Sequence, residues 1–175
     1  GSAATFMRLC EPKRGVNYSG SQVFQVVAGE ALYMGRLARG SAVRQERYID
    51  ATGYVRTLNL NAADSETNND SDNGWTHDEP GLLSMKRGGA SYEFAITTGK
   101  GKKPALDERD IVVGKVLEGM EIIARLDRVP VNKNTAYKSA FVSAGKLIKD
   151  KRAVAAEDDV NKPLQKVVVR KVGIL

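Results

Sequence analysis

Few residues in this 175-residue chain could do covalent or metal chemistry. It holds one cysteine, Cys10, and one histidine, His77. A single cysteine excludes an intramolecular disulfide and a cysteine-based zinc site. A single histidine argues against a multi-histidine metal centre and against a Ser/His triad. Cys10 falls within the apolar spacing of a short helix, which favours a core thiol over a nucleophile. His77 stands beside Asp78 and Glu79; a ligand cluster is one reading, and an ordinary polar loop residue is the better one. The run from Thr67 to Gly74 invites a calcium loop. With Gly74 in the glycine position, Asn69, Ser71 and Asn73 fall on ligand positions. The final ligand would then be Pro80, which has no side-chain oxygen, so the pattern fails. Gly99-Lys100-Gly101-Lys102 lacks the spacing and the following helix of a phosphate loop. No cofactor and no metal is expected.

The elements that would position any site are short. A composition of 42% hydrophobic and 27% charged residues is that of a globular protein and excludes disorder over the whole chain. Aromatics at 6% speak against a single-strand nucleic-acid platform. The net charge is +6, but Lys and Arg spread from Arg8 to Lys171 with acids between them. Nucleic acid is therefore a disfavoured partner, and the densest basic run, Lys100 to Lys103, reads as a solvated loop. No stretch approaches the ~20 apolar residues of a membrane-spanning helix, which leaves peripheral membrane association open.

Thr5 to Cys10 predicts one or two helical turns. Val23 to Val27 predicts a strand, with Ala31 to Gly35 as its hairpin partner. Residues 36–80 read as mostly polar and irregular. Leu82 to Met85, Tyr92 to Ile96 and Ile111 to Val116 predict further strands, with Gly88-Gly89 allowing a tight turn. Met120, Ile123 and Leu126 recur at helical spacing, and a second helical stretch is expected over 136–150. Lys166 to Val172 predicts a closing strand. Short strands without a βαβ rhythm imply a mainly antiparallel sheet or barrel.

Three segments in register resemble the cyclophilin family of peptidyl-prolyl isomerases. Tyr18-Ser19-Gly20-Ser21 followed by Val23 to Gly35 resembles its Y-x-G-S, catalytic strand and P-G-F-x-x-Q-G-G stretch. Pro80 to Met85 leading to Phe94 to Thr98 is similar to G-x-L-S-M-A and Q-F-F-I-T-T. Leu106-Asp107 with Ile111 to Met120 is similar to L-D-x-x-x-V-V-F-G-x-V-x-E-G-M. The match runs over roughly residues 5–130, and Lys162-Pro163 through Val172-Gly173 resembles the final strand. The resemblance implies an antiparallel β-barrel with two or three helices, lacking the two strands that precede the family's first helix. It implies a single domain over residues 1–175, with a helix-bearing insertion at about 131–165.

The family's activity follows from peptide chemistry. An X-Pro bond rotates over a barrier of ~18–20 kcal/mol set by its partial double bond. In the family an Arg hydrogen-bonds toward the prolyl nitrogen as the bond twists, and an apolar pocket holds the proline ring. Carried over by position, the Arg falls on Gln25, and the pocket Phe and Met fall on Glu30 and Ala31. The two groove Gln positions fall on Tyr33 and Glu93. The next pocket Phe is Ala95, the Trp position is Ala105, and the His position is Asp110. Only the pocket Leu is kept, as Leu106. Lys86-Arg87-Gly88-Gly89 replaces one wall of the groove.

Gln25 lacks the charge that makes guanidinium hydrogen bonds about twice as strong as neutral ones. A loss of ~4 kcal/mol of transition-state stabilisation costs roughly a thousandfold in rate. The expectation is a non-catalytic binding, assembly or structural subunit of a protein complex. The rival is a weak prolyl isomerase and folding helper. Leu147 to Ala153 with Asn161-Lys162-Pro163-Leu164 resembles the tail of divergent chloroplast cyclophilins of plants and algae. That implies a plastid protein, in the thylakoid lumen at its most specific, with a photosynthetic or other plastid complex as partner.

Overall fold

The computed structural model describes residues 2–11, 17–36, 45–49, 55–59, 73–87, 93–133, 143–144 and 160–174. Helix α1 spans Ser2–Cys10. Its Phe6, Leu9 and Cys10 recur at i, i+3 and i+4, the spacing of one helix face. Leu9 is buried, and Phe6 and Cys10 pack beside it on the same core. The Phe6 ring meets Phe94 edge-on at 5.1 Å and Tyr18 at 5.4 Å, and Tyr18 meets Phe94 at 4.8 Å. Each such aromatic pair adds about 1 kcal/mol beyond its buried area. Burial pushes the Cys10 thiol above its ordinary value, which keeps it protonated and unreactive.

The next elements form one antiparallel sheet. Strands β1 (Gln25–Val27) and β2 (Ala31–Met34) make a hairpin. A second hairpin, β3 (Gln45–Ile49) and β4 (Val55–Asn59), forms a separate two-stranded sheet. It lies inside the stretch expected to be irregular and corrects that reading. Strands β5 (Leu82–Lys86), β6 (Phe94–Thr97) and β7 (Asp110–Lys115) complete the main sheet in the order β1-β2-β6-β5-β7. Helix α2 (Pro104–Arg109) precedes β7, and α3 (Met120–Leu126) follows it.

Period-2 alternation sorts this sheet into two faces. Val26, Leu32, Met34, Met85, Phe94 and Ile96 point to one face and join Leu9, Tyr18 and Val23 in the main core. The other face carries Ala31 and Ala95, which pack with Leu106 of α2. β6 is buried along its whole length, as a central strand covered on both faces should be.

The C-terminal segment is extended but forms one isolated bridge rather than the expected strand. Val169 N–H donates to Ser21, while Gly20 and Val23 N–H donate to Val169 and Val167 carbonyls. Its partner segment, Gly20 to Val23, is itself too short and irregular to sustain a longer ladder. Of the helix expected over 136–150, only Ser143 and Ala144 are described, and they are helical. The rest of it, the Gly88-Gly89 turn and most of the acidic run from Thr67 lie outside the described residues. The flanks of the insertion are tied together. Val131 bridges Pro163, Asn132 and Asn161 exchange bonds with Lys162 and Asn132 carbonyls, and Leu164 N–H reaches the Pro130 carbonyl.

Among the described residues no helix is long and apolar enough to cross a membrane. Over the described residues the architecture is mainly β, an antiparallel sheet with the three helices α1 to α3, as the resemblance implies.

Candidate functional site

The sheet register builds one line of side chains across four strands. Gln25 pairs with Tyr33, Tyr33 with Ala95, and Ala95 with Ser84. Directly opposed residues have Cβ atoms ~5 Å apart on the same face, so the four are immediate neighbours. A cavity of about 170 Å³ opens along this line. Its lining includes Gln25, Tyr33, Glu93, Ala95 and Asp110.

Tyr33 dominates the site. Its half-buried side chain packs against Ala31, Ala95 and Leu106, which are all buried beneath it. Its hydroxyl donates to Glu30 Oε1 at 3.1 Å and accepts from Arg109 Nη2 at 3.1 Å. The Arg109 guanidinium also stands 5.4 Å from the Tyr33 ring centre. Burial pushes the Tyr33 phenol above its ordinary value, with the Arg109 hydrogen bond opposing. The phenol therefore stays protonated at neutral pH and keeps its donor role.

Arg109 is itself held. Its Nη2 and Nε contact the buried Asp110 carboxylate at 3.0 and 3.2 Å. That pairing, with Tyr33, raises the Arg109 pKa further, so the guanidinium is permanently charged. A buried carboxylate needs such a partner, since an unpaired buried charge is costly.

Arg36 enters from the end of β2. Its Nε donates to Glu93 Oε1 at 2.8 Å, and its guanidinium carbon lies 3.9 Å above the Phe24 ring. Gly35 turns the chain toward it with φ of +86°, where a Cβ would meet Phe94 Cδ1 at 2.7 Å. Ser84 forms the fully buried floor at the far end of the line, and its hydroxyl has no hydrogen-bond partner among the described residues.

The groove positions read from sequence thus divide into four groups. Gln25, Tyr33, Glu93, Ala95 and Asp110 line the cavity, while Ala31 and Leu106 lie under Tyr33. Glu30 lies at the rim as the acceptor for Tyr33 and does not fill the proline position. Ala105 is exposed and does not join the lining. Sequence reading missed Phe24, Arg36, Ser84 and Arg109. Same-face alternation from Ala95 through the sheet would have pointed to Ser84, but no local signal marks Arg36.

Two other sequence readings are corrected. His77 is a loop residue but is buried to 1% exposure. Its Nδ1 and its backbone N–H both lie 2.7 Å from Asp107 Oδ1. Lys103 is not solvated, because its Nζ donates to the carbonyls of His77, Gly99 and Gly101. These two contacts bind the 73–80 loop to the α2 turn behind the groove. Neither belongs to the cavity.

The family described as cyclophilin type peptidyl-prolyl cis-trans isomerase/CLD matches residues 2–173. The chain is 42% identical over 84 residues to the chloroplastic peptidyl-prolyl cis-trans isomerase CYP26-2 of Arabidopsis thaliana, covering 47% of this chain and 25% of that protein. It is 35% identical over 85 residues to the chloroplastic CYP28 of the same plant, covering 49% and 30%. A peptidyl-prolyl cis-trans isomerase of Encephalitozoon cuniculi is 29% identical over 133 residues, or 71% and 64%. The chain thus spans less than a third of either plant relative. A groove laid across antiparallel strands, a helix-borne leucine beneath it and a family match over nearly the whole length make this chain a member of the cyclophilin-type peptidyl-prolyl cis-trans isomerase family.

Proposed function

We propose that this chain is a cyclophilin-type domain that binds protein through its groove and has lost the family's rate of prolyl isomerisation. It acts as a binding, assembly or structural subunit. The single observation behind this reading is Tyr33. Its side chain lies on Ala31, Ala95 and Leu106, the floor on which the resemblance places a proline ring. Gln25 stands where the resemblance places the catalytic Arg. Its neutral amide makes a weaker donor to a twisting prolyl nitrogen.

The binding surface comprises Gln25, Glu30, Tyr33, Glu93 and Asp110 above Ala31, Ala95 and Leu106. Residues 1–175 are read as one domain with an insertion at about 131–165. The likeness to the chloroplastic Arabidopsis proteins supports a plastid location, with the thylakoid lumen as its most specific form and a plastid complex as partner.

Exchange NMR on an Ala-Pro peptide, beside an active cyclophilin, tests the reading. Exchange no faster than the uncatalysed reaction is expected. Clear catalysis, lost in Gln25→Ala, would establish the weak isomerase instead.

A further inference from the structure

We infer that Arg36 is the anchoring group of this groove and that it takes a carboxylate carried by an extended peptide. The inference rests on the reading of the groove as a peptide-binding surface, and it names the chemistry of the peptide. Arg36 is pinned on two sides, by Glu93 at its Nε and by the Phe24 ring beneath its plane. Among the described residues its two terminal nitrogens make no hydrogen bond, and the side chain remains one-third exposed at the cavity. A guanidinium held this way has little rotamer freedom left to lose, so ligand binding is not charged for ordering it. The free edge presents parallel N–H donors, the geometry that matches a carboxylate with two hydrogen bonds.

The surrounding charges select the same ligand. Lys86 lines the cavity with no ion pair among the described residues, whereas Asp110 is taken up by Arg109. Among the cavity-lining residues, Arg36, Lys86 and Arg109 against Glu93 and Asp110 leave 3 − 2 = +1. One excess positive charge balances one carboxylate, while Glu93 disfavours a more highly charged phosphate. Gln25, whose side-chain amide makes no hydrogen bond among the described residues, offers a donor and an acceptor to the peptide backbone beside it.

The test is a ¹⁵N–¹H NMR titration of the whole chain with three acetylated alanine-glycine hexapeptides. One carries an internal aspartate and an amidated C-terminus, one is neutral and amidated, and one is neutral with a free C-terminal carboxylate. At least one carboxylate peptide is expected to bind about tenfold or more tighter than the neutral amide, the equivalent of one charge-assisted hydrogen bond. The shifted amides should cluster at Phe24, Arg36 and Glu93. Which carboxylate peptide wins identifies an acidic side chain or a chain terminus as the source. Arg36→Gln should erase the preference. Arg36→Lys, which keeps the charge without the fork, should retain only part of it and serves if the first variant does not fold. Equal binding of all three peptides, or a preference that survives Arg36→Gln, overturns the role of Arg36 and leaves the binding groove standing. No shift with any peptide overturns both. Exchange rates measured separately report on isomerisation and do not depend on this outcome.

Discussion

Replacing Tyr33 by Ala should turn a blocked proline site into an open one. The ring now covers Ala31, Ala95 and Leu106, which are 0%, 3% and 1% exposed. Its removal bares that apolar floor. A proline ring entering it would bury about three methylene groups at ~0.8 kcal/mol each, or about 2.4 kcal/mol. That corresponds to roughly 50-fold tighter binding of a proline peptide, an upper figure because the ring refills the space imperfectly. The same change removes a half-buried aromatic ring and two hydrogen bonds, at a cost of about 2 kcal/mol in stability. Tyr33→Phe is the matched control. It keeps the ring, so peptide affinity should stay within about twofold, while the lost hydroxyl costs about 1 kcal/mol. NMR titration with an Ala-Pro peptide reads the affinity and urea unfolding reads the stability. A folded Tyr33→Ala protein whose proline affinity matches the parent within about threefold would refute the idea that this side chain occludes the site. Binding without faster exchange is expected in that variant, since Gln25 is untouched.

Other expectations concern the frame. Gly35→Ala should cost about 2–3 kcal/mol in urea unfolding, because φ of +86° strains an alanine and its Cβ would lie 2.7 Å from Phe94. Burial tends to raise the Asp107 pKa, but hydrogen bonds from the His77 ring and backbone outweigh it and hold the carboxyl below its usual range. Its stabilising contribution is therefore complete above the unfolded-state value of about 3.9 and fades as pH falls through the lower folded value. Unfolding midpoints of Asp107→Asn should accordingly lose less than the parent's on acidification below pH ~4. Replacing residues 134–159 with a short glycine-serine link should leave the amide spectrum of β1, β2 and β6 unchanged, because Asn132 and Asn161 already close the base of that excursion. Displaced groove resonances would show that the insertion supports the site.

The strands of the main sheet were legible because β-branched and aromatic runs such as Val23 to Val27 and Phe94 to Thr97 are bounded by glycines or turns. The β3–β4 hairpin was not, since Gln45–Ile49 and Val55–Asn59 are mostly polar and show no apolar alternation. Helix α2 was not read from sequence, because six residues are too few to show a helical period, although Pro104 suits the first turn of a helix. The groove was legible only through resemblance. Tyr33, Ala95 and Ser84 are scattered along the chain and become neighbours through strand register alone. Arg36 and Arg109 reach the cavity from outside the family's groove positions. His77 reads as an ordinary loop residue until Asp107, 30 positions away, is folded against it.

Volume along the line of Gln25, Tyr33, Ala95 and Ser84 is shared, and that shapes the routes by which the sequence can change. Tyr33 fits because its opposite neighbour is only an alanine. A phenylalanine introduced at Ala95 alone would compete with the Tyr33 ring for the same space. A smaller residue at Tyr33 alone would leave the floor open and take from Arg109 one acceptor, with Asp110 as the one that remains. The two positions are therefore coupled, and the effect of changing both should differ from the sum of the two single changes. The line thus acts as one shared volume, in which the size permitted at either position is set by the residue at the other.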